Sequence, residues 1–245
     1  MRAFVTGGGR GIGESIARGL ASAGWEVTVA ARSRAEIESV AEQIGAAWTQ
    51  VDVTDPDSVA HAIAQAGEID LLVANAGLNE RHPPRPSWEI DPAEWWRICQ
   101  VNILGVHLCC RAVIPGMLAR GAGRIAITAS GAAHLPGVDR TAYPASKAAV
   151  CRYGETLANE LAGRIPVFIF DPGLVKTRMT VDAFADDTPW ASPQDAAELV
   201  RQVATGRFDA LSGRQLHAHD DDLEALRRGI DEVRRDDLNA IRLRR

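Results

Sequence analysis

Residues 2–13 constrain the fold more than any other stretch. The short apolar run Ala3-Phe4-Val5 leads directly into Thr6-Gly7-Gly8-Gly9-Arg10-Gly11-Ile12-Gly13. Ile16, Ala17, Leu20 and Ala21 then recur at helical spacing up to Gly24. The pattern is strand, glycine turn, helix. Glycines in such a turn let the backbone approach a phosphate at the helix N-terminus, where free N–H groups and the helix dipole favour an anion. The spacing Gly7, Gly11, Gly13 departs from the usual G-x-G-x-x-G. A tight connection without a ligand is the alternative, but the position after the first strand favours a dinucleotide.

The rest of the chain alternates strand and helix. Strands are expected at 26–31, 47–51, 69–74, 123–128, 165–170 and 214–218. Helices are expected at 35–44, from Pro56 to about 66 behind an Asp55 cap, and from Asp91-Pro92 as one long helix to about Gly121. Further helices carry Tyr143 to about 161, span 193–204 behind a Ser192 cap, and run through Leu223, Leu226, Ile230 and Val233. Alternation of this kind means a parallel sheet covered on both faces, and right-handed crossovers make it doubly wound. The expected fold is therefore α/β, a Rossmann-like doubly wound parallel sheet, forming one domain over 1–245 with a helical tail from about 220. Ligands in such sheets lie at the carboxyl ends of the strands. The glycine loop, Asp52 and Asn75 all fall there. The segment 174–189, with Asp182, Asp186 and Asp187, reads as an acidic lid.

Tyr143 and Lys147 stand at i and i+4, one turn apart on one helix face. A neighbouring ammonium favours phenolate, so the Tyr143 pKa is expected to fall below its ordinary value. A phenol tuned this way exchanges a proton with an alcohol oxygen. Composition narrows the alternatives. The 245 residues carry a net charge of -5, which argues against nucleic acid as a partner. No apolar run approaches the roughly 20 residues that span a bilayer, and the first strand leaves no room for a leader peptide. The four cysteines, Cys99, Cys109, Cys110 and Cys151, lack C-x-x-C spacing and sit in core-like helices, as expected of free thiols in a reducing cytoplasm. No metal site is expected.

Together these motifs resemble the short-chain dehydrogenase/reductase family over nearly the whole chain, less closely after residue 178. The resemblance implies a nicotinamide cofactor held by Gly7, Gly9, Arg10, Gly11, Ile12 and Gly13, by Arg32 and Ser33, and by Asp52 and Val53 at the adenine. It also implies cofactor contacts from Asn75-Ala76-Gly77, from Tyr143 and Lys147, and from Pro172, Gly173, Val175 and Thr177. Asn102, Ser130, Tyr143 and Lys147 match the family's catalytic tetrad. In the implied mechanism Tyr143 passes the proton, Ser130 fixes the substrate oxygen, Lys147 holds the nicotinamide ribose and lowers the Tyr pKa, and Asn102 helps hold a water next to Lys147. Ala74 stands where many members have a second Asn, and the chain continues through 220–245 where many members end.

Cofactor choice is read at the end of the second strand. Ala31 occupies the slot of the acid that binds a ribose 2′-hydroxyl, and Arg32 follows with a cation suited to a 2′-phosphate, so NADP(H) is expected over NAD(H). The expected substrate is a small or medium, largely uncharged ketone or secondary alcohol, with Leu135-Pro136-Gly137-Val138 as one pocket wall. A 3-oxoacyl carrier-protein reductase is the alternative, for which Arg81, Arg85 and Arg140 offer a basic rim and the acidic lid opposes one. A non-catalytic nucleotide-binding regulator is a further one. The apolar helices around 95–117 and 145–161, with Cys109, Cys110, Ile114 and Val150, suggest a homodimer at least, or a homotetramer.

Overall fold

The computed structural model describes residues 1–80, 85–185 and 187–242. Among them, seven parallel strands form one sheet in the order β3-β2-β1-β4-β5-β6-β7. The strands are β1 (Arg2–Thr6), β2 (Glu26–Ala31), β3 (Ala47–Gln50), β4 (Leu71–Ala74), β5 (Arg124–Thr128), β6 (Val167–Asp171) and β7 (Gln215–His217). β4 and β6 are buried along their whole length, which is why they read as apolar runs rather than alternating ones, with Asp171 alone polar at the end of β6. The chain leaves β1 to one side through β2 and β3, and returns on the other side to β4. That reversal opens a crevice at the carboxyl ends of β1 and β4, where Thr6 and Asn75 lie.

Helices cover both faces. One core layer joins α1 (Gly11–Ser22), α2 (Arg34–Ile44) and α7 (Pro193–Ala204) to the sheet through Ile16, Leu20, Ile37 and Val200. The opposite layer uses α3 (Pro56–Ala66), α5 (Gly105–Arg120) and α6 (Ala142–Leu161), through Val59, Val113, Val150 and Leu157. Asp55 caps α3, accepting from the Asp57 amide at 3.0 Å with Pro56 in the first turn, and Ser192 caps α7.

Three expectations are corrected here. The long helix is not continuous α-helix: α4 (Pro92–Cys99) passes through a π turn at Gln100–Leu104 into α5. The extra residue in that turn coincides with Asn102 turning inward, and Gly105 passes so close to Val53 that a Cβ would lie 2.7 Å from its side chain. The helical run Pro92–Arg120 is also long and apolar enough to cross a membrane, with mean hydropathy 1.6, against the expectation that no stretch approaches that length. Its Ile98, Val101, Val113 and Met117 are buried in this chain's own core. Likewise Cys109, Cys110 and Val150 are buried internally, so they leave no partner surface; Trp96 and Leu104 are the large apolar side chains those helices expose.

The C-terminal segment folds back on the sheet. Gly229 divides the expected single helix into α8 (Leu223–Arg228) and α9 (Ile230–Arg235). Asn239 then pairs with Gln215 of β7, accepting from its amide at 2.8 Å and donating to its carbonyl at 2.9 Å. Ile241 packs against Ala129, Cys151 and Ile169. The tail thereby occupies the free edge of β7, where unpaired backbone groups would otherwise be exposed.

Candidate active site

The glycine loop is held by contacts that leave no space for larger residues. Gly7 has a positive φ of 65°, and a Cβ on Gly13 would lie 2.3 Å from the Gly7 carbonyl oxygen and 2.5 Å from Asn75 Nδ2. Gly13→Ala is therefore expected to cost about 1–3 kcal/mol by overpacking. Thermal unfolding would show this as a lower Tm, and an unchanged Tm would mean that the loop can shift. The turn delivers the chain into α1 with Arg10 at the N-cap and no side-chain cap bond. An uncapped helix start behind a glycine turn suits a phosphate.

Asn75 fixes the loop to its neighbours. Its Nδ2 donates to the Thr6 carbonyl at 3.0 Å, its Oδ1 accepts from the Thr128 hydroxyl at 3.3 Å, and its amide and that of Ala76 donate to Thr6 Oγ1. The ends of β1, β4 and β5 are thus joined through one side chain. Gly77 follows beside Asn102 and Lys147, 3.4 Å from Asn102 Oδ1 and 3.7 Å from Lys147 Nζ to its would-be Cβ.

Just past β3, Asp52 is half-buried and Val53 buried. Burial would raise the Asp52 pKa, but hydrogen bonds from the Thr54 amide and hydroxyl, aided by the Arg32 and Arg97 charges, hold it below the ordinary carboxylate value. Arg32 and Ser33 are exposed at the end of β2. Arg10 pairs with Glu36 at 2.7 Å, and Arg178 pairs with the same carboxylate at 3.2 Å. Sequence reasoning missed both Glu36 and Arg178; the adjacency of Arg178 to Thr177 was the available signal.

Beyond β6, Pro172 and Val175 are buried, and Gly173 donates its amide to Asp171 Oδ1 at 3.0 Å. Val175 bridges to Ala191, and Thr177 packs against Gly11. The lid and the 131–141 loop meet where Arg140 lies over the Phe184 ring at 5.9 Å, and Phe184 in turn stands edge-on to Trp190. Leu135 and Val138 of that loop are exposed, as are Asp182 and Asp187 of the acidic segment. Arg85, one residue of the expected basic rim, pairs with Glu94 at 2.9 Å. Arg81 and Asp186 lie outside the described residues.

Tyr143 and Lys147 sit in the first turns of α6, Lys147 almost wholly buried. The Lys147 ammonium donates to the Thr128 carbonyl at 2.8 Å and lies 5.6 Å from the centre of the Tyr143 ring. Asn102 is committed to scaffolding bonds. It accepts from the Leu78 amide at 2.7 Å, and donates to the Leu78 carbonyl and to Ser146 Oγ, each at 2.9 Å. Ser146 Oγ donates in turn to the Tyr143 carbonyl at 2.7 Å. The π turn is therefore tied to the backbone of Tyr143 through two side chains.

The expected fall in the Tyr143 pKa is not what this site produces. Burial pushes the phenol up to about 12; a hydrogen bond with Ser130 opposes the rise, while the Asp171 and Glu80 carboxylates add to it. The reason is geometric. The ammonium lies over the ring and bonds a carbonyl, and it is itself pushed down to about 8 by burial. Burial thus disfavours charge on both the phenol and the ammonium.

The short chain dehydrogenase family profile matches residues 1–188. The chain belongs to the short-chain dehydrogenase family. The dehydrogenase is 35% identical over 230 residues to cis-4-hydroxycyclohexanecarboxylate dehydrogenase of Sinomonas cyclohexanicum, covering 86% of this chain and 92% of that one. Among solved structures it is similar to 3-ketoacyl-(acyl-carrier-protein) reductase from Brucella melitensis complexed with NADH, with TM-score 0.83 and 30% identity over 88% of this chain and 95% of that one. It is also similar to gluconate 5-dehydrogenase from Burkholderia cenocepacia J2315 in complex with NADP and tartrate, with TM-score 0.82 and 28% identity over 88% and 92% of the two chains. The dehydrogenase is accordingly an oxidoreductase on a nicotinamide-binding fold, and its relatives include structures with either nicotinamide dinucleotide.

Proposed function

We propose that the protein transfers a hydride between NADP(H) and a ketone or secondary alcohol, with Tyr143 as general acid and base. The observation that carries this reading is the convergence of Tyr143, Ser130 and Lys147 at the carboxyl end of β5, with Lys147 beside Gly77 after β4. The nicotinamide, when bound, supplies or accepts the hydride. The residues fit that group: the crowded loop leaves backbone as the surface a pyrophosphate would meet, and Arg32 and Arg10 would offer cations to a 2′-phosphate. Tyr143 keeps its proton at neutral pH, the state in which it can donate to a carbonyl oxygen. Ser130 Oγ orients that oxygen, and Lys147 holds the ribose and balances the charge that forms on the phenol.

The mouth favours a largely uncharged substrate of small or medium size. Leu135, Val138, Phe184 and Trp190 offer apolar surface, and the exposed lid carboxylates repel anions. The carrier-protein reductase named among the relatives is the second reading, but Arg85 is engaged by Glu94 and the lid is acidic. We place the enzyme in the cytoplasm, where its buried thiols stay reduced, and read Trp96 and Leu104 as part of a homodimer contact. A screen with NADPH of simple ketones, alicyclic ketones, sugars and acyl thioesters tests the reading. Turnover of uncharged ketones is expected; turnover of acyl-carrier thioesters alone would replace it with the second reading.

A further inference from the structure

Glu80 is an unusual residue for its position. It lies just after the Asn75-Ala76-Gly77 turn, in a connection where carboxylates are normally solvated, and only 6% of its surface is exposed. Its Oε1 accepts from two backbone amides at the start of α6, Ala142 at 2.8 Å and Tyr143 at 3.1 Å. These are orphan donors of a helix N-terminus, and a carboxylate there is favoured by the helix dipole as well. Thr141, at the N-cap itself, makes no cap bond with its own side chain. Glu80 therefore caps α6 from a remote segment of chain. Its other oxygen, Oε2, is buried and has no hydrogen-bond partner among the described residues. A buried oxygen left unmatched is costly, and a neutral acceptor would hold the two amides as well.

We infer that Glu80 is a positioning residue for the reaction: reaching in from the segment after β4, its carboxylate anchors the backbone amide of Tyr143 at the crevice and sets a negative charge beside that residue. The inference rests on the proposed role of Tyr143. The anchor is direct, since one of the two amides it holds belongs to Tyr143. It acts together with Ser146, which bonds the Tyr143 carbonyl, so both polar groups of that peptide unit are fixed by side chains. The charge acts within a set of four groups around the phenol: Lys147 on α6, Ser130 after β5, Asp171 at the end of β6, and Glu80 after β4. Glu80 and Asp171 both oppose phenolate; the Ser130 bond favours it. Glu80 is thus placed to favour the proton-donating form of Tyr143, which serves carbonyl reduction.

Three variants separate anchor from charge. Glu80→Gln keeps the acceptor oxygen and removes the charge. The phenol pKa should then fall, and below that pKa the phenolate fraction rises in proportion. Oxidation kcat/KM at a fixed pH near 8 should increase about three- to tenfold, with the rising limb of its pH profile moved by about half to one unit to lower pH. Glu80→Asp keeps the charge and shortens the reach, so kcat should drop with no shift of the limb. Glu80→Ala removes both and should lose at least tenfold in kcat. A Glu80→Gln enzyme that folds, as judged by circular dichroism, with an unmoved limb and unchanged oxidation rate would overturn the inference. A Glu80→Gln chain that fails to fold would overturn it too, since the charge would then serve the fold. Tyr143→Phe measured in parallel keeps the two claims apart: an active Tyr143→Phe enzyme refutes the role of Tyr143, whereas an inactive one beside an unmoved Glu80→Gln profile refutes Glu80 alone.

Discussion

Tyr143→Phe is expected to lower kcat about a thousandfold, within the 10²–10⁴ range typical of a positioned acid or base, while the affinity for the dinucleotide stays within about twofold. The fold does not depend on the phenol oxygen. Packing of α6 comes from Val150, Leu157 and Leu161, and the Tyr143 peptide is held by its own amide and carbonyl through Glu80 and Ser146. Only proton transfer is therefore removed. Stopped-flow or steady-state rates with the best ketone from the substrate screen measure the loss, and dinucleotide fluorescence titration measures binding. A variant retaining more than about a tenth of wild-type kcat would remove Tyr143 from the chemistry. The pH dependence of the unmodified enzyme gives a second reading of the same site. In the proposed mechanism, reduction uses the proton on Tyr143, whose pKa is pushed up to about 12, and the charge on Lys147, pushed down to about 8. Reduction kcat/KM should therefore be level near neutrality and decline as pH rises through about 8, where the ammonium loses its proton first.

The parallel strands and the helix starts were legible because they follow from local rules. A buried parallel strand reads as an apolar run, and Leu71–Ala74 and the stretch from Val167 to Phe170 are such runs. Asp55-Pro56 and Ser192-Pro193 mark helix starts by chemistry that acts within one turn, and both caps form. The site was less legible, because its decisive interactions cross between segments far apart in the chain. Nothing around Glu80 announces that it caps a helix beginning at Ala142, and nothing in Asn102 by itself predicts a π turn. The direction of the Tyr143 shift failed for the same reason. Spacing on a helix puts Lys147 near the ring, but burial and the two distant carboxylates decide the charge balance. The long helix misled in the opposite way: its apolar residues were counted as surface for a partner when most face this chain's own sheet.

The cofactor preference should reverse when the end of β2 is rewritten. We expect the unmodified enzyme to favour NADPH over NADH by roughly 10- to 100-fold in kcat/KM, since hydrogen bonds to a charged group contribute about 1.5–3 kcal/mol. Arg32 is the main contributor. It is exposed beside the half-buried Asp52, and Ala31 leaves room for a phosphate where an acid would repel one. Arg10 is already paired with Glu36, which also holds Arg178. Exposed pairs of this kind are worth at most about 1 kcal/mol, so a doubly charged phosphate can draw Arg10 away at little cost. Ala31→Asp combined with Arg32→Ala removes the main cation and adds a carboxylate at the 2′ position. That carboxylate can accept from a ribose hydroxyl and repels a phosphate, so NADH should become the preferred cofactor. Glu36→Gln offers a further check, because it releases Arg10 and Arg178 and should tighten 2′,5′-ADP without affecting 5′-AMP. Calorimetric titration of those two nucleotides reads the phosphate contribution apart from turnover. Equal affinity of the unmodified enzyme for 2′,5′-ADP and 5′-AMP would show that Arg32 and Arg10 are ordinary surface charges and that the cofactor is NAD(H).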